Sequence, residues 1–86
     1  MHLEILTPEK KLYAGDVYGI QLPGISGSFE ILEKHAPMVS ALGKGTMKLL
    51  LDKSGQNNLR YTIQGGFMEV IQNKVTVLVE GAAEKP

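Results

Sequence analysis

Phe67-Met68-Glu69-Val70-Ile71-Gln72-Asn73-Lys74-Val75-Thr76-Val77-Leu78-Val79 is the stretch whose reading decides the fold. Its two halves, residues 67–71 and 75–79, are short and apolar, and the second is rich in β-branched side chains. Val75, Val77 and Val79 alternate with Thr76 and Glu80, the period of two that places one face of a strand in a core. Gln72-Asn73 is the expected tight turn, so the stretch reads as a β-hairpin. The Gly65-Gly66 pair just before it enters a strand, which points to a bulge or a close backbone approach.

The same period recurs outward from this hairpin. Leu59, Tyr61 and Ile63 alternate with Arg60, Thr62 and Gln64, and Tyr61 and Phe67 both fall in the core phase. Residues 52–58 hold no apolar side chain and read as a solvated hairpin loop. Before it, residues 46–51 form a strand with Met47, Leu49 and Leu51 pointing one way, entered through the turn Gly43-Lys44-Gly45. Residues 38–42 and 29–32 are short strands on either side of His35. The one place for a helical turn is residues 33–37, stopped by Pro37. Residues 17–22 form a strand with Tyr18, Ile20 and Leu22 in phase, ended by a Pro23-Gly24 turn. A brief strand at 11–13 ends at Ala14-Gly15-Asp16. At the start, Leu3 and Ile5 share one face of a strand over residues 2–7, which Pro8 ends. No amphipathic helix of about ten residues appears. Some eight to ten short strands read as an all-β flattened sandwich or barrel. Residues 1–82 form one β-sandwich domain in this reading, and 83–86 a short polar tail that frays.

Composition narrows the function. A chain of 86 residues is one domain, burying about 60–65% of its unfolded surface, so its stability is expected to lean on a partner. Nine basic residues balance nine acidic ones, so no global field draws it to nucleic acid or anionic lipid. There is no cysteine, which excludes disulfides and thiolate metal sites. The N-terminus has no signal-peptide pattern, and no apolar stretch approaches the roughly 20 residues of a span. The expectation is a protein that is soluble or peripheral to a membrane.

Candidate chemistry is sparse. His2 and His35 are the only neutral-pH titrators, and His35 with Glu30 and Glu33 gives no defined metal shell. Ser26, Ser28, Ser40 and Ser54 lie in no nucleophile-elbow pattern and read as turn serines. Gly24-Ile25-Ser26-Gly27 lacks the lysine, glycine spacing and helix of a phosphate loop. Glu30 with Glu33, and Glu80 with Glu84, read as exposed charges. No catalytic residue, metal or cofactor is expected, which leaves an interaction module.

Several blocks taken together have a family look: His2-Leu3-Glu4-Ile5-Leu6-Thr7-Pro8, then Leu22-Pro23-Gly24-Ile25-Ser26-Gly27-Ser28-Phe29-Glu30-Ile31-Leu32, then His35-Ala36-Pro37-Met38-Val39, and Gly65-Gly66-Phe67-Met68-Glu69-Val70. Over residues 2 to 82 the chain resembles the N-terminal β-sandwich of the epsilon subunit of F-type ATP synthase. The resemblance implies a non-catalytic rotor subunit of the central stalk, bound to the gamma subunit on one side and standing on the polar loops of the c-ring. Ion-driven rotation then reaches the catalytic subunits as torque. It also implies a peripheral place on the cytoplasmic face of an energy-transducing membrane.

Matched residue by residue, the ring-facing region is Ser28, Phe29, Glu30, Ile31, His35, Ala36 and Pro37. Glu30 and His35 are the expected polar contacts, while Ala36 and Pro37 fix the turn. The competing reading of His35 is a structural histidine bonded to its own loop. The gamma-facing set is Thr7, Met38, Val39, Ala41, Leu42 and Thr46, with Met38 and Leu42 supplying exposed apolar area; plain sandwich core is the competing reading.

Two departures from the family pattern matter. Glu33-Lys34 stands where members commonly carry Pro-Gly. Longer members also continue into a two-helix domain that can inhibit ATP hydrolysis or bind ATP. This chain ends at Pro86, so neither activity is carried over to it; a naturally short form is the favoured expectation, with a truncated longer protein as the alternative. Two other classes stay open on the residues alone: a free-standing ligand- or protein-binding β-sandwich, and a small hydrolase using His35 with a nearby serine.

Overall fold

A computed structural model describes residues 1–85. The strands are β1 (His2–Leu6), β2 (Lys11–Asp16), β3 (Gly19–Gly24), β4 (Gly27–Leu32), β5 (Met38–Leu42), β6 (Gly45–Leu50), β7 (Asn58–Ile63), β8 (Gly66–Ile71), β9 (Lys74–Val79) and β10 (Ala82–Lys85). Hydrogen bonding orders them β10-β7-β6-β3-β5-β8-β9-β1-β2, with β4 paired to β3 alone. Neighbours run antiparallel except β1 and β9, which are parallel. The order curls on itself, giving extents of 28 × 26 × 25 Å. Its two ends approach each other. Burial raises the pKa of Tyr61 on β7, and the nearby Glu84 on β10 and Tyr13 on β2 raise it further. The all-β class read from the sequence holds.

Alternation explains the core. Leu3 and Ile5 of β1, Met68 and Val70 of β8, and Val75 and Val77 of β9 all point inward and are closed to solvent. They meet Ile20 and Leu22 of β3, Ile31 of β4, Met47 and Leu49 of β6 and Ile63 of β7 in one cluster. No charged or polar side chain is buried among the described residues. Cohesion is therefore hydrophobic, at roughly 25 cal/mol for each Å² of apolar surface removed from water.

Four local expectations are corrected. Pro23-Gly24 does not end its strand, because β3 runs through both residues and the turn falls on Ile25 and Ser26. Pro23 sits where the partner of β3 changes from β6, last paired at Gln21↔Lys48, to β5 at Gly24↔Leu42. A residue without an N–H costs no ladder bond in that gap. The helical turn expected over 33–37 is absent: Lys34 adopts φ 64°, and His35 N–H closes a turn onto Leu32 O at 3.2 Å. The polar tail expected to fray instead adds β10 to the edge of β7, from Ala82↔Ile63 to Lys85↔Arg60. Pro86, the last residue of that tail, lies outside the described residues. The strand expected at 11–13 continues to Asp16, because β2 pairs along β1 as far as His2↔Asp16.

Candidate docking surfaces

Register assembles the first surface. Ala41 on β5 faces Phe67 on β8, Phe67 faces Leu78 on β9, and Leu78 faces Leu6 on β1. Paired residues share a face, so these four side chains form an apolar stripe across the outside of the wall made by β5, β8, β9 and β1. Phe67 is 58% exposed and Leu78 50%, and Val39 at 72% adjoins them on β5. A shallow groove beside the stripe is lined by Leu6, Thr7, Pro8, Phe67, Leu78 and the Gly65–Gly66 backbone.

Placing Phe67 in the core phase was wrong. Residues 67–71 carry apolar side chains in both phases, and only pairing with β9 chooses between them. Met68↔Val77 and Val70↔Val75 turn inward, which leaves Phe67 and Ile71 outside. Gly66 allows that pairing. At φ 154°, a Cβ there would collide with the Leu78 carbonyl oxygen. The close backbone approach expected of the Gly65-Gly66 pair is present.

The other end of the same wall is charged. Glu4 Oε2 accepts from His2 Nε2 at 3.3 Å and lies 3.6 Å from Lys11 Nζ, and Glu4 Oε1 lies 3.9 Å from Lys74 Nζ. His2 Nδ1 is also 3.6 Å from Asp16. The His2 hydrogen bond is the main influence holding the Glu4 carboxyl below its ordinary pKa, with both lysines helping. Such surface pairs add little to stability.

The second surface is the outward phase of β4 and the loop after it. Ser28 and Glu30 are exposed, and Glu30 Oε1 accepts from Gln21 Nε2 at 2.9 Å. His35, Ala36 and Pro37 are also exposed. The His35 ring bonds within its own loop, Nδ1 to Ala36 O at 2.8 Å. A carbonyl can only accept, so Nδ1 carries a proton, and Nε2 is left to bond outside the loop. Phe29 is half-buried, and Ile31 is wholly in the core, so its side chain reaches no surface.

The gamma-facing set read from the sequence divides. Ala41, Val39 and Thr7 lie at the stripe or its groove. Leu42 is only 4% exposed and Met38 is half-buried, so the exposed apolar area expected of them comes from Val39 instead. Thr46 stands apart on β6, opposite Thr62, with Lys85 Nζ 3.4 Å from its hydroxyl. Sequence reasoning missed Phe67, Leu78, Leu6 and Pro8 as surface residues. The signal available was the doubling of apolar phases at Phe67-Met68 and Val77-Leu78. Among the described residues, no three histidine, cysteine or carboxylate side chains stand close enough to hold a metal ion.

Comparison with known proteins fits this geometry. The family model described as "ATP synthase, Delta/Epsilon chain, beta-sandwich domain" matches residues 1–85. The ATP synthase epsilon chain of Salinibacter ruber is 39% identical over 84 residues, covering 91% of this chain and 56% of that protein. That of Caulobacter vibrioides is 36% identical over 84 residues, covering 98% and 94%. The chain thus spans 56% and 65% of two of its curated relatives and nearly all of a third. A chain of the Euglena gracilis mitochondrial ATP synthase structure that contains OSCP, F1 and the c-ring superposes with TM-score 0.86 at 21% identity, covering 95% of this chain and 51% of that one. A chain from the central stalk and c-ring of the Tetrahymena thermophila enzyme gives 0.79 at 19% identity, covering 95% and 64%. A match along the described chain, together with relatives well above 30% identity, places this protein in the family of ATP synthase delta/epsilon chain β-sandwich domains.

Proposed function

We propose that this chain is a non-catalytic epsilon-type subunit that joins the gamma subunit to the c-ring of an F-type ATP synthase and transmits rotation between them. The observation that carries the reading is the apolar stripe Ala41–Phe67–Leu78–Leu6 with Val39, together with a second, polar surface of Ser28, Glu30 and His35. A rotor part needs two interfaces on one stiff body. The stripe has the apolar centre of a protein interface, and gamma is its proposed occupant. The polar surface, with an imidazole nitrogen open to an outside partner and a carboxylate, suits the polar loops of the c-ring. In that assembly the chain sits peripherally on the cytoplasmic face of an energy-transducing membrane. It performs no chemistry there.

Purified chain mixed with gamma is expected to co-elute as a stable complex, and Phe67→Asp is expected to remove it. Separate migration of the wild-type proteins at micromolar concentration would remove the main support for this reading.

A further inference from the structure

We propose that Asn73 is a positioning residue for the His35 loop: its side-chain Oδ1 accepts the Lys34 N–H and ties the loop to the β8–β9 turn. The proposal rests on the reading of that loop as a ring-docking surface and names the residue that orients it.

The bond is 2.8 Å long and joins residues 39 apart in sequence. An N–H can only donate, so the amide oxygen of Asn73 is the atom that faces it. The loop's bonds from His35 N–H to Leu32 O and from His35 Nδ1 to Ala36 O are local. They shape the loop without anchoring it to the rest of the barrel. Asn73 is itself well fixed. It occupies the second turn position between β8 and β9, and its carbonyl accepts from His2 N–H at 3.2 Å. One residue therefore connects the hairpin turn, the N-terminal strand and the His35 loop.

The conformation at Lys34 gives the bond its importance. Lys34 stands at φ 64°, in the left-handed region that a residue with a Cβ enters only at a cost. Its backbone is exposed, and the Asn73 acceptor offsets that cost. Released, Lys34 would relax toward negative φ and swing His35, the next residue, away from its present direction.

Asn73 meets two separate demands, which makes the idea testable. Its φ of 61° calls for a residue tolerant of the left-handed region, and its side chain must offer an acceptor. Glycine satisfies the first demand and not the second, whereas aspartate satisfies both. Asn73→Gly therefore keeps the hairpin turn while deleting the acceptor, and Asn73→Asp restores it.

Amide hydrogen exchange on the isolated chain reads the bond directly. In Asn73→Gly, the Lys34 and His35 amides are expected to exchange about five- to tenfold faster, with Val75 and Val77 unchanged. Capture of the chain with gamma on purified c-ring is expected to weaken by a similar factor. Asn73→Asp is expected to recover both readouts. Wild-type exchange at Lys34 and His35 in Asn73→Gly overturns the proposal. So does faster exchange with undiminished ring capture, provided His35→Ala weakens capture. If His35→Ala leaves capture intact, the docking reading itself fails, and the exchange rates alone decide whether Asn73 positions the loop.

Discussion

Gly66 and Gly27 both stand at positive φ, 154° and 130°, yet their surroundings differ completely. A Cβ on Gly66 would strike the Leu78 carbonyl oxygen and press on Val79, whereas nothing lies within 4 Å of one on Gly27. The first glycine belongs to the wall that carries the apolar stripe, the second to the β3–β4 hairpin that leads to the polar surface. The wall is fixed by register: strands approach so closely that a single residue type fits, and the outward side chains follow from the pairing. The polar surface is fixed by local conformation, through turns with open space around them and single hydrogen bonds such as Lys34 to Asn73. Damage to the wall should therefore spread through the fold, and damage to the loop should stay local.

The sharpest way to break that contrast is to add a side chain at each glycine. Gly66→Val is expected to cost about 3 kcal/mol or more, combining backbone strain with a collision that the β9 backbone cannot avoid. Gly27→Ala, strained but unobstructed, should cost about 1 kcal/mol. Urea unfolding midpoints measure both, and equal losses would erase the distinction.

Next in size is an effect on binding alone. Phe67→Asp should leave stability within about 1 kcal/mol, because the ring is more than half exposed. The same substitution should weaken capture of gamma at least about 30-fold, the loss typical of a central aromatic anchor. Thermal melts and a binding titration on one preparation separate the two. On the polar surface, His35→Ala is expected to weaken ring capture only about fivefold, with unchanged unfolding, since it removes one hydrogen-bonding ring nitrogen at an exposed site.

The smallest expected effect concerns pH. The Glu4 carboxyl is held below its ordinary value of 4.5 first by the His2 hydrogen bond and then by Lys11 and Lys74. The folded chain thus releases that proton more readily than the unfolded one. The resulting stabilisation is complete above pH 4.5 and fades as pH falls through the lower folded value. Asp52 behaves alike, its carboxylate accepting from Ser54 Oγ at 2.6 Å and from the Gly55 N–H at 3.1 Å. Glu4→Gln should make the acid limb of the stability curve shallower and leave neutral pH almost unaffected. An acid limb as steep as in the wild type would remove Glu4 from that account.

Much of this molecule was legible in the chain because the signals are local. Period-two alternation marked the strands around Leu3, Met47, Tyr61 and Val75, and Gln72-Asn73 marked a tight turn now seen with both residues at positive φ, 50° and 61°. The chain also carried enough of its family's blocks to be matched to it. Tertiary structure alone decided the rest. Which phase of residues 67–71 faces outward depends on β9, so Phe67 could not be taken from the core by inspection. The pairing of Ala82–Lys85 depends on the free edge of β7, not on the tail's polarity. The hold of Asn73 on Lys34 spans 39 residues and leaves no periodic trace. Alternation and turn chemistry are properties of neighbouring residues, while phase, edge pairing and loop anchorage are properties of strands that meet only when the sheet closes.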